Sequence, residues 1–366
     1  MLYALPDHEV MENLLPAIRD QHLPVDRAVE RLQSQPGLIP VAINPTGSGS
    51  VYFADIGDTP LLEWKFIYTI QRLAEEHAIS EMFFTDLTIL EHEDLVSDGI
   101  SPQGLIFHVS RCGSTLFTKA LARSPYNLTI NQGGPLQEGF WAAITDHWQH
   151  PPEISESNIG MLRNLVLLMA RKRRPEYQRC FVKFISWNII YLDLIRAAFP
   201  DAAALYLYRD PIEVIATVLQ ETTAVLRAKG HRQAYALTGL SPRVTGSMSD
   251  VEYLAHCYAN YFNVVLNKTG SSRLHLVNYS QLMDCESFAD ILTRGFNLRP
   301  DDAELAQMRK QYRYYSKDDS DRTIFTGDAA TMLDILPRSD KQLIGEICSE
   351  GLTRLDASSW NLYPSA

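Results

Sequence analysis

The chain is 366 residues long, enough for about two domains at roughly 150 residues each. Its 46% apolar and 21% charged residues form an ordinary globular balance that excludes bulk disorder. Lys plus Arg number 33 against 44 Asp plus Glu, a net charge of −11. A sequence-independent nucleic-acid binder is thereby excluded, and any anionic ligand must be held by a local cluster of donors.

The N-terminal stretch MLYALPDHEVMENLLPAIRD is acidic and lacks a signal-peptide pattern, and the greasiest run, residues 162–170, is too short to cross a bilayer. These features predict a soluble, cytoplasmic protein with neither membrane nor nucleic acid as partner. Short strands are expected at residues 38–43 and 51–54. They flank Ser48-Gly49-Ser50, which reads as a hairpin turn because no Lys follows to make a phosphate loop. A helix over 63–77 and a strand over 81–90 complete a small α+β region, residues 1–100, in which nothing announces chemistry.

From residue 101 the pattern becomes strand, turn, helix, repeated, and residues 101–366 read as one α/β domain. Strands are predicted at 105–109, 128–130, 180–185, 203–208 and 273–279, and helices at 114–123, 157–174, 188–199 and 251–267, with another from about 286. Arg171-Lys172-Arg173-Arg174 reads as a solvated helix end favoured by the helix dipole. Asp210, Pro211 and Glu213 are N-cap, first-turn proline and third-position acid of one further helix. Residues 224–250, with weak periodicity and several basic side chains, are expected to form a mobile loop over the substrate. Apolar strands alternating with helices predict a parallel sheet with helices on both faces, and such sheets bind ligands outside the carboxyl ends of their strands.

Two such strand ends carry anion-binding chemistry. The first strand runs into Ser110-Arg111-Cys112-Gly113-Ser114-Thr115-Leu116 at a helix start. There the exposed first-turn N–H groups, two hydroxyls, an arginine and a glycine that permits close approach suit a phosphate. The Walker A Gly-Lys-Ser/Thr signature is absent. The strand at 203–208 ends at Arg209, with Thr217 two turns along the next helix from Asp210. A salt bridge from Arg209 to Asp210 or Glu213, and a surface role for Thr217, are the structural alternatives.

Together these motifs resemble the sulfotransferase family, whose donor is 3′-phosphoadenosine-5′-phosphosulfate (PAPS). Residues 107–116 are similar to the family's 5′-phosphosulfate loop, with Cys112 in place of the usual Ser. Arg209 and Thr217 match its 3′-phosphate pair, an Arg with Ser eight positions later. Residues 274–279 resemble a late family strand, with Ser280 and Gln281 replacing an acidic pair. The likeness covers about residues 104–298. It implies a P-loop-type α/β fold and a reaction without metal that moves a sulfuryl group to a hydroxyl or amine of a small-molecule acceptor, possibly a specialised metabolite, leaving 3′-phosphoadenosine-5′-phosphate (PAP). It also implies Lys183 as a second catalytic cation beside Arg111, and a late basic segment, here containing Lys317 and Arg322, over the 3′-phosphate.

The general base departs from the family pattern. Ile185 stands where many members have His, and Gln132 where others have Glu. Glu138 is nearest the expected loop, with Asp146, His147 and His108 also open. A kinase-like phosphotransferase and a nucleotide-binding protein without turnover are the rival readings.

Overall fold

The computed structural model describes residues 7–364 except 93–94, 221–223, 269–272, 319, 321 and 325–334. Strands β1 (Leu38–Asn44), β2 (Ser50–Asp55) and β3 (Met82–Asp86) form an antiparallel sheet in that order. Strands β4 (Pro102–His108), β5 (Asn127–Asn131), β6 (Arg179–Lys183), β7 (Ala203–Tyr208) and β8 (Leu274–Asn278) form the expected parallel sheet, in the order β5-β6-β4-β7-β8, with helices between successive strands. The direction of strand addition reverses at β4. In open α/β sheets that reversal marks the crevice where ligands bind. The chain clusters into two compact units.

One unit comprises Met1–Gln103, Leu121–Phe184 and Asp193–Ala202. Its β1–β2 hairpin turns through Gly47 and Gly49, whose φ angles of 66° and 76° suit glycine. β3 ends at Asp86, earlier than the periodicity predicts, because the chain then winds into a 3-10 turn, Leu87–Glu91. The expectation of a solvated basic helix end is overturned. The helix Glu156–Met169 stops short, and Arg171 is only 4% exposed. Its Nε donates to Asp98 at 2.9 Å and its Nη1 to the carbonyl of Gln35 at 3.0 Å. Buried Arg173 donates to the carbonyls of Gly57 and Thr59, and burial pushes its pKa down to about 10. Both guanidinium groups thus donate to loop carbonyls.

The other unit comprises Gly104–Ala120, Ile185–Leu192 and Ala203–Ala366. β4, β7 and β8 run in parallel register, Phe107 opposite Tyr206 and Tyr206 opposite Leu276. The long helix Asp250–Lys268 packs on the C-terminal helix Arg338–Asp356. Residues 224–250 are not one irregular loop but contain the helices Ala224–Arg227, Gln233–Thr238 and Pro242–Ser247. Gly239 in the left-handed region ends the second, and Ser241, accepting from the Val244 N–H, caps the third, so short-range capping replaces the missing periodicity. No helix among the described residues is long and apolar enough to cross a membrane.

The tail after the last helix runs along β8. Leu276 N–H donates to the Trp360 carbonyl and Leu362 N–H to the Leu276 carbonyl, both at 3.0 Å, which closes an exposed sheet edge. Tyr208 ties this tail to β7: its hydroxyl donates to Asp356 Oδ1 at 2.6 Å and accepts from Asn361 Nδ2 at 2.7 Å. Tyr208→Phe removes one hydrogen bond from each partner, which keep others to Asn278 and to the Leu355 carbonyl, and is expected to cost about 1 kcal/mol in chemical denaturation. An unchanged midpoint would show that the other bonds suffice to hold the tail.

Candidate active site

The loop between β4 and the helix Ser114–Ala122 has the form that anions bind. Arg111 has φ 59° and Gly113 φ 78°, while Cys112 between them is not left-handed. Alternating handedness turns successive N–H groups toward one concavity, and here it leads directly into a helix N-terminus. A left-handed arginine costs roughly 1–2 kcal/mol, a strain that local function explains better than folding does. A Cβ on Gly113 would meet only the flexible ends of Leu282 and Met283 at 3.1 and 3.2 Å, so its backbone angle is what requires glycine. Cys112 is fully buried, and its thiol donates to the Val109 carbonyl at 3.0 Å. It therefore pins the loop from beneath. Ser110 donates to Ser186 at 3.4 Å, Ser114 and Leu116 are buried, and Thr115 is half-buried.

The second strand end is joined to this loop. Arg209 Nη1 donates to the backbone carbonyl of Arg111 at 2.9 Å, and its guanidinium lies 3.9 Å from the centroid of the Tyr279 ring. Its Nε donates to Glu213, so one of the structural alternatives, the salt bridge to Glu213, is present. Thr217 is buried rather than on the helix surface, and its hydroxyl donates to the Glu213 carbonyl at 2.8 Å. Glu213 thus engages both members of the pair. The sequence reading gave Glu213 a helix start and, as an alternative, the salt bridge to Arg209 that its spacing of four allows. Tyr279 offered no signal beyond its place after β8.

Lys317 lies in a turn of the same unit. The neighbouring Asp318 carbonyl accepts from Lys119 Nζ at 3.3 Å, which ties the turn to the helix that follows the anion loop. The Asp318 carboxylate accepts from the Ser320 hydroxyl and from the N–H groups of Ser320, Arg322 and Thr323, and the bonds from Ser320 and Thr323, the Ser320 hydroxyl first, hold it well below the usual carboxylate range. Arg322 belongs to this turn and is exposed. His108 is buried with Nδ1 2.7 Å from the Val109 carbonyl, a backbone-bonded ring.

The remaining candidates belong to the first unit. Lys183 closes β6 and is 1% exposed. Asn131 is its register partner, and the N–H of Gln132 donates to its carbonyl at 2.8 Å. Glu138 is half-buried at the N-cap of the helix Gly139–Ile144, six residues beyond Gln132. Asp146 and His147 lie in an exposed turn where they and Trp148 all have positive φ.

No family model and no curated protein matches the chain. Solved structures do. Five solved structures that it resembles are sulfotransferases. The sulfotransferase domain from the curacin biosynthetic pathway is 15% identical, with a TM-score of 0.40 over 69% of this chain and 98% of its own. STF9 from Mycobacterium avium is 12% identical, with a TM-score of 0.48 over 92% and 97%. The Alicyclobacillus acidocaldarius enzyme is 15% identical, with a TM-score of 0.39 over 70% and 94%. Likenesses of this size assign neither an activity nor site residues to the chain, and those readings rest on its own residues.

Proposed function

We propose that the protein is a sulfotransferase that uses PAPS as donor and a small molecule bearing a hydroxyl or amine as acceptor. One observation carries this reading: the Arg209 guanidinium bonds to the backbone of the Arg111 loop, so two motifs 98 residues apart in sequence meet. A ligand with a single phosphate needs only the loop. A second cation at the neighbouring strand end is explained by a ligand with two anionic ends, as in an adenosine bisphosphate. The residues fit that donor: Ser110, Arg111, Cys112, Gly113, Ser114, Thr115 and Leu116 would hold the 5′-phosphosulfate, and Arg209, Thr217 and Lys317 the 3′-phosphate.

In the reaction the bond from sulfur to the 5′-phosphate oxygen breaks, with its electron pair going to the phosphate, and a bond from sulfur to the acceptor oxygen or nitrogen forms. The acceptor's proton passes to a base, for which Glu138 is the proposed group. The protein's part is positioning and charge stabilisation, as in phosphoryl transfer. Arg111 and the loop N–H groups balance charge on the leaving phosphate, and Lys183 is the second cation. Incubation with PAPS and an acceptor panel is expected to give equal amounts of PAP and sulfated product. Phosphorylated product from ATP and Mg²⁺ instead would favour the phosphotransferase reading.

The pairing of Arg209 with Glu213 has a consequence for affinity. A 3′-phosphate must share Arg209 with a carboxylate, so Glu213→Gln, which keeps the shape and removes the charge, is expected to tighten PAP binding by about threefold to tenfold. Calorimetry checks this, and weakened binding would mean that Glu213 orients Arg209 for the ligand.

A further inference from the structure

A hydroxyl from outside the anion loop reaches into it. Tyr258, on the helix Asp250–Lys268, is 2% exposed, and its ring stands edge-on to that of Tyr261, 5.7 Å between centroids. The Tyr258 hydroxyl hydrogen-bonds to Ser110, the residue that enters the loop shortly after β4. The same helix packs against the 3-10 turn Ser186–Tyr191, and Ser110 donates to Ser186 at the head of that turn, at 3.4 Å. Ser110, Ser186 and Tyr258 all belong to one compact unit, the one that also holds Arg209. Two other phenols of this interior fare differently. The hydroxyls of Tyr206 and Tyr261 are buried with no hydrogen-bond partner among the described residues.

A serine hydroxyl has one proton to give and two lone pairs to offer. Burial pushes the Tyr258 phenol up, so it stays protonated and donates to Ser110. With one lone pair taken from the side of the helix, the Ser110 proton is directed away from it. The acceptor that this proton has, Ser186, is far for the purpose, since a full O–H···O bond spans roughly 2.5–3.0 Å. An anionic oxygen in the loop is a stronger acceptor and displaces so long a bond at little cost. Accepting from a phenol also polarises the Ser110 O–H and strengthens the bond that it gives in turn.

We propose that Tyr258 is a positioning residue of the donor site: it aims the Ser110 proton at the 5′ anionic group of the nucleotide. The proposal rests on the sulfotransferase reading above, in which Ser110 belongs to the 5′-phosphosulfate loop. Tyr258 itself lies beneath the loop and acts through Ser110 alone. Its effect is therefore confined to the 5′ end, because the 3′-phosphate is assigned to Arg209, Thr217 and Lys317.

Calorimetry on the full chain with PAP and adenosine 5′-phosphate tests this. Tyr258→Phe keeps the ring and its packing. It is expected to weaken both ligands by the same factor, about threefold to tenfold, and so to leave the preference for PAP at its wild-type value. Ser110→Ala is expected to weaken both at least as much. Adding Tyr258→Phe to it is expected to change neither further, within about twofold, because the hydroxyl to be aimed is gone. Tyr261→Phe removes a phenol without a partner from the same helix and is expected to leave both affinities within about twofold of wild type. Wild-type affinities in Tyr258→Phe, the same loss with and without Ser110→Ala, a loss confined to PAP, or an equal loss in Tyr261→Phe overturns the proposal. Failure of wild type to bind PAP more tightly than adenosine 5′-phosphate would instead overturn the sulfotransferase reading beneath it.

Discussion

Replacing Lys183 by Met is expected to lower turnover by about 10²–10³-fold and to leave the affinity for PAP within about threefold. Lys183 closes an otherwise apolar strand, Cys180-Phe181-Val182 preceding it, and is 1% exposed. The role proposed for it is that of the second cation, beside the oxygen that leaves with the donor phosphate. Methionine keeps the unbranched stem and its packing and removes only the charge, so the variant is expected to fold. If Lys183 stabilises charge that develops as the sulfuryl group leaves, kcat falls while binding of the product nucleotide does not. Stopped-time assays beside calorimetry separate the two. A loss confined to nucleotide affinity would make Lys183 a ground-state binding residue, and no loss in either would make it structural.

Arg209→Ala is expected to erase the preference for a 3′-phosphate and to destabilise the anion loop as well. The guanidinium engages the Arg111 carbonyl at 2.9 Å, the Glu213 carboxylate, and the face of Tyr279 at 3.9 Å. Deleting it leaves a carbonyl and a one-third-exposed carboxylate without their partner, about 1–3 kcal/mol of stability. It also removes a charge-assisted bond to the ligand, worth about tenfold to a hundredfold in affinity. Arg209→Lys sharpens the test. It restores the charge but cannot serve the carbonyl, the carboxylate and a phosphate at once, so stability is expected to recover less than affinity does. If Arg209→Ala loses stability yet still prefers PAP over adenosine 5′-phosphate by the wild-type margin, Arg209 is a brace and the 3′-phosphate site lies elsewhere.

Local chemistry was the legible part of this sequence. Strand ends followed by a glycine turn or an Asp-Pro helix start depend on near neighbours, and β4, β7 and the elements after them appear where those signals fall. Asp210 caps its helix as read, with Oδ1 accepting from Ile212 N–H at 2.8 Å. The strand at Leu274–Asn278 and the helix Asp250–Lys268 likewise follow their periodicity.

What could not be read depends on partners distant in sequence. Arg171 and Arg173 look like a charged helix end, and Asp98 with the carbonyls of Gln35, Gly57 and Thr59 turns them into buried donors. The helix Arg338–Asp356 escaped notice because few of its residues are apolar and only Ile344, Cys348 and Leu355 are buried. Gln132 was legible as a departure from an acidic family position. Its left-handed backbone and its buried, unpartnered oxygen are encoded by no local pattern.

Calorimetric titration of the wild-type chain with PAP, adenosine 5′-phosphate and ATP tests the central claim most directly. PAP is expected to bind at least about tenfold more tightly than adenosine 5′-phosphate, with ATP no better than the latter even when Mg²⁺ is present. Equal affinities for PAP and adenosine 5′-phosphate, or a Mg²⁺-dependent preference for ATP, would mean that the loop and Arg209 do not grip one adenosine bisphosphate.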